Sequence, residues 1–236
     1  MKMKKTLLTS MILGSLVGPM HAALITGITL ESGSTNPYST VLMGPAKAIN
    51  GAGLPSGPAL SGVHSTTTGD NWWSLPSGST PAPQQITVNL SAVYNVDTIH
   101  IWNFNEGGQT LRSTKNVEIY VSPDGTVANL VKLVTGGSGI HDNGSGNFLL
   151  PQGLGTASYG GFDLNLSGVT NASLLNNVRL IQFKPLDSYG STPQNAFPDG
   201  VGLAEVQFGA VPEPSAALLG GLGVFALLRR RRRRND

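Results

Sequence analysis

The feature that most limits the fold is a series of short segments in which apolar residues alternate with polar ones, separated by Gly, Pro, Asn and Asp. Gln85 to Leu90 reads QITVNL, with Ile86, Val88 and Leu90 on one side, and Val117 to Val121 reads VEIYV and runs into Ser122-Pro123-Asp124-Gly125. A period of two places alternate side chains on one face of a strand, and Pro followed by Asp-Gly presets a tight turn. Val96 to Phe104, Leu130 to Val134, Phe162 to Leu166, Val178 to Phe183 and Leu203 to Phe208 read as further strands, with Leu24 to Leu30 as the opening one. There are 31 glycines and 15 prolines in 236 residues and only 12% charged residues, and no helical periodicity is sustained. Many short strands joined by turns imply an all-β sandwich or jelly roll.

The two ends of the chain follow other rules. Lys2, Lys4 and Lys5 precede a largely apolar run from Leu7 to Val17, and Pro19 to Ala23 ends on small residues. That is the pattern of a secretory signal peptide over residues 1–23, cut near Ala22 or Ala23. At the other end, Pro212-Glu213-Pro214 breaks the preceding structure, the uncharged run Ser215 to Leu228 follows, and six arginines, Arg229 to Arg234, close the segment. A helix over residues 215–228 would be about 21 Å long, a short single transmembrane helix against a hydrocarbon core of about 30 Å. Snorkelling arginines and local thinning narrow the difference, and the arginines belong on the cytoplasmic side. The order of these parts resembles a PEP-CTERM sorting signal over residues 211–236. In that resemblance Pro212, Glu213, Pro214, Arg229 and Arg230 are the sorting motif. It implies an exosortase-type membrane protease as partner, transient residence in the inner membrane, and delivery to the cell surface or extracellular matrix of a Gram-negative bacterium.

Between the signals, residues 24–210 hold 6 Lys and Arg against 11 Asp and Glu, a net charge of −5, although the whole chain has a pI near 9.0. A nucleic-acid partner calls for a basic face, so that class is set aside. There is no cysteine, which excludes a disulfide scaffold and thiolate metal sites. The span suits one domain with its own core. Trp72 and Trp73 are adjacent, so their rings point to opposite sides of an extended chain; one is expected in the core and the other at the surface, and which is which stays open.

Residues 44–125 carry a second resemblance. PAKAINGAGL, DNWWS, QQITVNLSAVYNVDTIHIWNFNE and LRSTKNVEIYVSPDG, with the closing GLAEVQF, resemble a discoidin domain (coagulation factor 5/8 type C) of galactose-binding-like jelly-roll fold. The likeness fades from Thr135 to Asn177. It implies a possible calcium ion held by Asn50, Asp70 and Glu205; oxygen-rich loops suit this hard cation, while neutral Asn50, where the family has an aspartate, lowers the charge of the site.

Catalysis has little support: His64, His100 and His141 are isolated, and no nucleophile elbow, zinc-protease or phosphate-loop motif occurs. The chain is expected not to be an enzyme and to have no catalytic residues. Carbohydrate or exopolysaccharide binding is the expected function, with Tyr38, Trp72, Asn103, Asn105, Arg112 and Tyr189 as candidate ligand contacts. The alternatives are a structural matrix protein that self-associates and, more weakly, a glycoside hydrolase, for which two opposed carboxylates would be needed.

Overall fold

The computed structural model describes residues 22–31, 42–55, 60–74, 84–137, 141–192 and 200–211. Leu24–Ala210 form one compact unit. The secretory signal and the helix and arginines of the tail therefore lie, but for a few residues, outside the described residues.

Eleven strands follow in chain order: β1 Ala23–Leu24, β2 Thr29–Leu30, β3 Trp72–Trp73, β4 Ile86–Tyr94, β5 Val96–Asn103, β6 Asn116–Ser122, β7 Val131–Lys132, β8 Phe148–Leu149, β9 Phe162–Asp163, β10 Val178–Pro185 and β11 Gly202–Ala210. Among the described residues the only helical pieces are short 3-10 turns. The strands form two sheets. One has the order β1-β11-β5-β9 with β3 also on β11, and the other β2-β4-β10-β6-β7 with β8 also on β6. This is the all-β sandwich that alternation and turns call for.

The alternation translates directly into the core. Ile86, Val88 and Leu90 of β4, Val117, Ile119 and Val121 of β6, and Ile181 and Phe183 of β10 face Ile99 and Ile101 of β5 and Val206 and Phe208 of β11 in one buried cluster. Phe183 and Phe208 meet across the two sheets with ring centroids 6.3 Å apart. Each such side chain contributes about 1.5–3 kcal/mol when fully buried, and these long strands hold the sandwich together.

Two expectations are corrected by the structure. Leu24 to Leu30 is not one strand: Gly27 adopts φ 71°, a conformation open to glycine, and there the chain passes from β1 in one sheet to β2 in the other. The two tryptophans do point to opposite sides of β3, yet neither is at the surface. Trp72 is fully buried in the main core, and Trp73, 8% exposed, packs with Met43 and Phe104 in a smaller cluster. Strand β11 explains this, because all nine of its residues are buried and loops cover its outer face.

Candidate functional site

The loops beyond the Gly202 end of β11 are bound together by backbone hydrogen bonds. Trp73 donates to the carbonyl of Met43 at 3.1 Å, Ser74 to Val201 at 2.9 Å, Tyr189 to Ser113 at 3.1 Å and Gly190 to Leu111 at 2.9 Å. Two buried asparagines brace this end from within. Asn103 Nδ2 donates to the carbonyls of Thr114 and Pro151 at 2.6 and 2.7 Å, and its Oδ1 accepts from the Thr114 amide at 3.0 Å. Asn105 Nδ2 lies 3.0–3.2 Å from the carbonyls of His64, Ser65 and Thr156, and its Oδ1 accepts from Gly155 at 2.9 Å. Both residues are completely buried. Asn103 and Asn105 thus spend their amides on the scaffold, and Trp72 is sealed in the core; none of the three reaches a surface ligand, contrary to the sequence expectation. Buried amides need such partners, whereas the sequence alone shows only polar residues in a polar loop.

Arg112 is placed differently. Its guanidinium lies 3.8 Å from the centre of the Trp73 ring, and Nη1 is 3.5 Å from Glu106 Oε2. Glu106 Oε1 accepts a 2.9 Å hydrogen bond from the Thr68 hydroxyl. Arg112 Nε and Glu106 Oε2 have no hydrogen-bond partner. A guanidinium stacked on an indole is held in one plane, which fixes the direction of its remaining N–H groups. Exposed Leu42, Leu111 and Leu154, at 60%, 53% and 64%, lie on the loops around this group. Tyr189 is half-buried and donates its hydroxyl to the Leu150 carbonyl at 2.6 Å; burial raises its pKa above the usual tyrosine value. Tyr38 lies outside the described residues, as do Pro212, Glu213, Pro214, Arg229 and Arg230.

The calcium candidates gather around a second loop, residues 50–53. Glu205, on the outer face of β11 and completely buried, accepts a 3.0 Å hydrogen bond from Gly51 N–H through Oε1, while its Oε2 has no partner. Burial pushes its pKa up to about 8; the Gly51 amide opposes the rise, as does the nearby Gln207 amide, which is not aligned to donate a hydrogen bond. Asn50 Oδ1 is taken by the Ala52 amide at 2.9 Å. Asp70 accepts a short hydrogen bond from the Ser65 hydroxyl. The α-carbon of Gly53 fits between Asp70 and the ring of His64, where a Cβ would lie 2.8 Å from His64 Nε2 and 3.1 Å from Asp70 Cβ. The structure therefore brings Asn50, Asp70 and Glu205 around one loop. Among the described residues, no three His, Cys, Asp or Glu side chains converge tightly enough to hold a metal by themselves, so carbonyls would have to complete any coordination shell.

Sequence reading did not single out Glu106 or Trp73 as partners of Arg112, Thr68 as a partner of Glu106, or His64 as a neighbour of Asp70. His64 is buried, its Nε2 lacks a hydrogen bond, and burial lowers its pKa. Trp73 and Arg112, like Thr68 and Glu106, are separated by tens of residues, and only the loop packing unites them.

Comparison with known proteins separates the domain from its tail. Residues 210–233 match the PEP-CTERM protein-sorting motif, a signal that implies export and membrane-associated sorting by an exosortase. No curated protein matches the chain. Among solved structures, the F5/8 type C domain of a Bacteroides fragilis protein aligns over 80% of this chain and 95% of its own, at 13% identity and a TM-score of 0.52. The module CBM32-1 of a family 31 glycoside hydrolase from Clostridium perfringens aligns over 81% of this chain and 99% of its own, at 14% identity and a TM-score of 0.46. A putative chitobiase fragment from Bacteroides thetaiotaomicron aligns over 82% and 95%, at 17% identity and a TM-score of 0.45. The chain carries a PEP-CTERM sorting motif behind a β-sandwich of F5/8 type C, galactose-binding-like fold.

Proposed function

We propose that this protein is exported and binds carbohydrate, in particular an exopolysaccharide at the cell surface or in the extracellular matrix of a Gram-negative bacterium, through the loop end that carries Arg112. The observation that carries the reading is the Arg112 guanidinium, fixed over Trp73 and beside Glu106 among exposed loops. A fixed donor plane beside a carboxylate acceptor suits hydroxyl-rich ligands, which bring both donors and acceptors to the same site. The sorting motif supports the location, and the solved F5/8 type C domain supports the scaffold. An exosortase-type protease is the partner that would process the tail at the inner membrane. Binding is assigned here without catalysis.

Polysaccharide pull-down and glycan-array binding with the full chain, in calcium and in chelator, test this reading. Retention that Arg112→Ala abolishes supports it, and no retention by any glycan in either condition rejects it.

Calcium belongs to the same proposal. Glu205 Oε2, buried and unpartnered, fits a carboxylate that lacks a cation, and Asn50 with the carbonyls of the 50–53 loop would supply further oxygens. The ion would neutralise Glu205 and stiffen the loop.

A second reading, self-association as a structural matrix protein, is favoured by exposed Leu42, Leu111 and Leu154 on the loops of one end. Concentration-dependent light scattering by the full chain in the absence of glycan, lost on replacing these leucines with Ser, would replace the first reading.

A further inference from the structure

The edge of the second sheet carries a cluster that the Arg112 loops do not use. Strands β7 and β8 both pair with β6, Lys132 opposite Tyr120 and Phe148 opposite Val117, and each is two residues long. They converge at Glu118. There Lys132 Nζ donates to Glu118 Oε1 at 3.0 Å and to Asn147 Oδ1 at 2.5 Å. The Glu118 side chain is 17% exposed and that of Lys132 28%.

An ordinary ion pair would not need this arrangement. Glu118 Oε2 already has Lys184 Nζ at 3.3 Å, from the residue opposite Glu118 in the β6–β10 register, and the Tyr120 hydroxyl at 2.9 Å. Two ammonium groups therefore share one carboxylate, and one positive charge is surplus. Burial raises the Glu118 pKa, but hydrogen bonds from Lys132, Tyr120 and Lys184 outweigh it and hold the group below its usual value, so it stands as a carboxylate able to accept a proton. Lys132 Nζ also lies closer to the Asn147 carbonyl oxygen than the roughly 2.7–2.9 Å of a charge-assisted hydrogen bond. The carbonyl carbon is one C=O bond, about 1.2 Å, beyond that oxygen, which puts it within about 3.7 Å of Nζ and near the roughly 3–3.5 Å of a reactive approach. Asn147 is anchored through its main chain by Asn143 and Thr135. Its Nδ2 has no hydrogen bond among the described residues, so nothing holds it as a leaving group.

Nucleophile, base and carbonyl thus meet at one point, as covalent chemistry by a lysine amine requires. We propose that Lys132 and Asn147 join in an isopeptide bond, with Glu118 as the catalytic base. Glu118 takes a proton from Lys132 Nζ, whose lone pair attacks Asn147 Cγ and moves the C=O electron pair onto Oδ1. The tetrahedral adduct re-forms C=O and breaks the Cγ–Nδ2 bond. Two protons leave Nζ by way of Glu118 and both end on Nδ2, which departs as an ammonium ion, and Glu118 is restored. Neither oxidant nor cofactor is consumed. Lys184 then remains as the counterion of Glu118, and the surplus charge is gone. The product ties β7 to β8 along the sheet edge. It gives a cysteine-free chain with a sorting motif for export the covalent closure that disulfides give other exported domains, and it does not depend on the function assigned to Arg112.

The test is intact-mass measurement of the full chain in detergent micelles, with tandem mass spectrometry of its proteolytic digest, beside Glu118→Gln, Lys132→Arg and Asn147→Ala. Once the substitutions are allowed for, the wild type should be lighter than all three variants by one ammonia. Its digest should yield a branched peptide joining Lys132 to Asn147, absent from each variant, and its thermal midpoint should exceed that of Lys132→Arg by several degrees. Lys132→Arg keeps the charge and Asn147→Ala replaces a partly exposed residue, so the comparison stands if Glu118→Gln does not fold. An unbranched Lys132 in the folded wild type overturns the proposal and leaves an ion pair. A branch that persists in Glu118→Gln overturns the role of the base. Loss of ammonia without a branch assigns the mass change to a succinimide, as at Asn143-Gly144, and overturns the proposal as well.

Discussion

The backbone N–H of Gly51 donates a 3.0 Å hydrogen bond to Glu205 Oε1, joining residues 154 positions apart. The carboxyl group that pins this loop is buried, and its pKa rises from 4.5 to about 8. The unfolded chain therefore releases this proton first as pH rises. The contribution of Glu205 is fully present below pH 4.5 and is lost as pH climbs to about 8, a decline of a few kcal/mol in order of magnitude. His64 acts in the other direction. Its folded pKa is depressed below 6.5 by burial, so the unfolded chain takes up a proton first as pH falls below 6.5, and stability is lost toward acid. Urea midpoints of the full chain in chelator should fall between pH 6.5 and 8, and Glu205→Gln should remove that fall. A flat wild-type profile across this range would show that Glu205 is not held protonated by the fold.

Calcium should reverse the alkaline loss, because an ion bound to Glu205 stabilises the charged carboxylate and releases its proton. At pH 8 the thermal midpoint of the wild type should rise by several degrees on adding millimolar calcium, in line with linkage, whereas magnesium, which holds its waters more tightly, should do less. Glu205→Gln should abolish the calcium response. An equal response in wild type and variant would place the ion elsewhere.

Arg112 joins the ligand reading to the packing below it. Removing its side chain as Arg112→Ala takes away a stacking contact worth about 0.5–2 kcal/mol and the nearby partner of Glu106, so a modest loss of stability should accompany complete loss of glycan retention. Arg112→Lys keeps the charge but not the plane, and should keep most of the stability while losing at least tenfold in glycan affinity. Equal glycan binding by the lysine variant would reduce Arg112 to a brace for its loop.

The long strands were legible in the sequence because alternation records burial: Ile86, Val88 and Leu90 point inward as their spacing says. The short strand β8, Phe148–Leu149, carries no alternation and falls in the stretch where the resemblance to discoidin domains fades, so it was missed. The site was less legible. Arg112 and Glu205 were singled out, but the roles of Asn103 and Asn105 were inverted, since a polar side chain that binds ligand and one that satisfies buried carbonyls look alike in one dimension. What distinguishes them is the set of distant backbone groups that the fold delivers: Pro151 to Asn103 and Thr156 to Asn105.

That inversion is itself testable. Asn105→Ala removes donors that lie near three carbonyls and the acceptor of Gly155 N–H. Leaving such buried groups unpaired costs about 1–3 kcal/mol each, partly recovered where water enters, so a destabilisation of about 3 kcal/mol is expected by urea unfolding. A residue that served only as a ligand contact would cost almost nothing.

Gly202 sets a tight packing limit beneath the Arg112 site. A Cβ there would lie 2.1 Å from the Trp72 carbonyl oxygen and 2.7 Å from Phe104 Cδ2. The Trp72 carbonyl cannot simply move aside, because β3 is paired to β11 with Gly202 opposite Trp73 and Leu203 opposite Trp72. The carbonyl of Gly202 also accepts from Thr114 Oγ1 at 3.0 Å. Gly202→Ala must therefore push β3 away from β11 and carry Trp73, with the guanidinium stacked on it, out of position. A loss of about 3 kcal/mol or more is expected from such overpacking, with glycan retention reduced in whatever fraction remains folded. Gly108→Ala is the control: Gly108 has φ +75° and nothing within 4 Å of the added Cβ, so only backbone strain of about 1–2 kcal/mol arises. Urea midpoints at unchanged slope should rank wild type above Gly108→Ala and Gly108→Ala above Gly202→Ala. The reverse order of the two variants would mean that β3 yields freely, and that the plane of Arg112 is not fixed by the sheet beneath it.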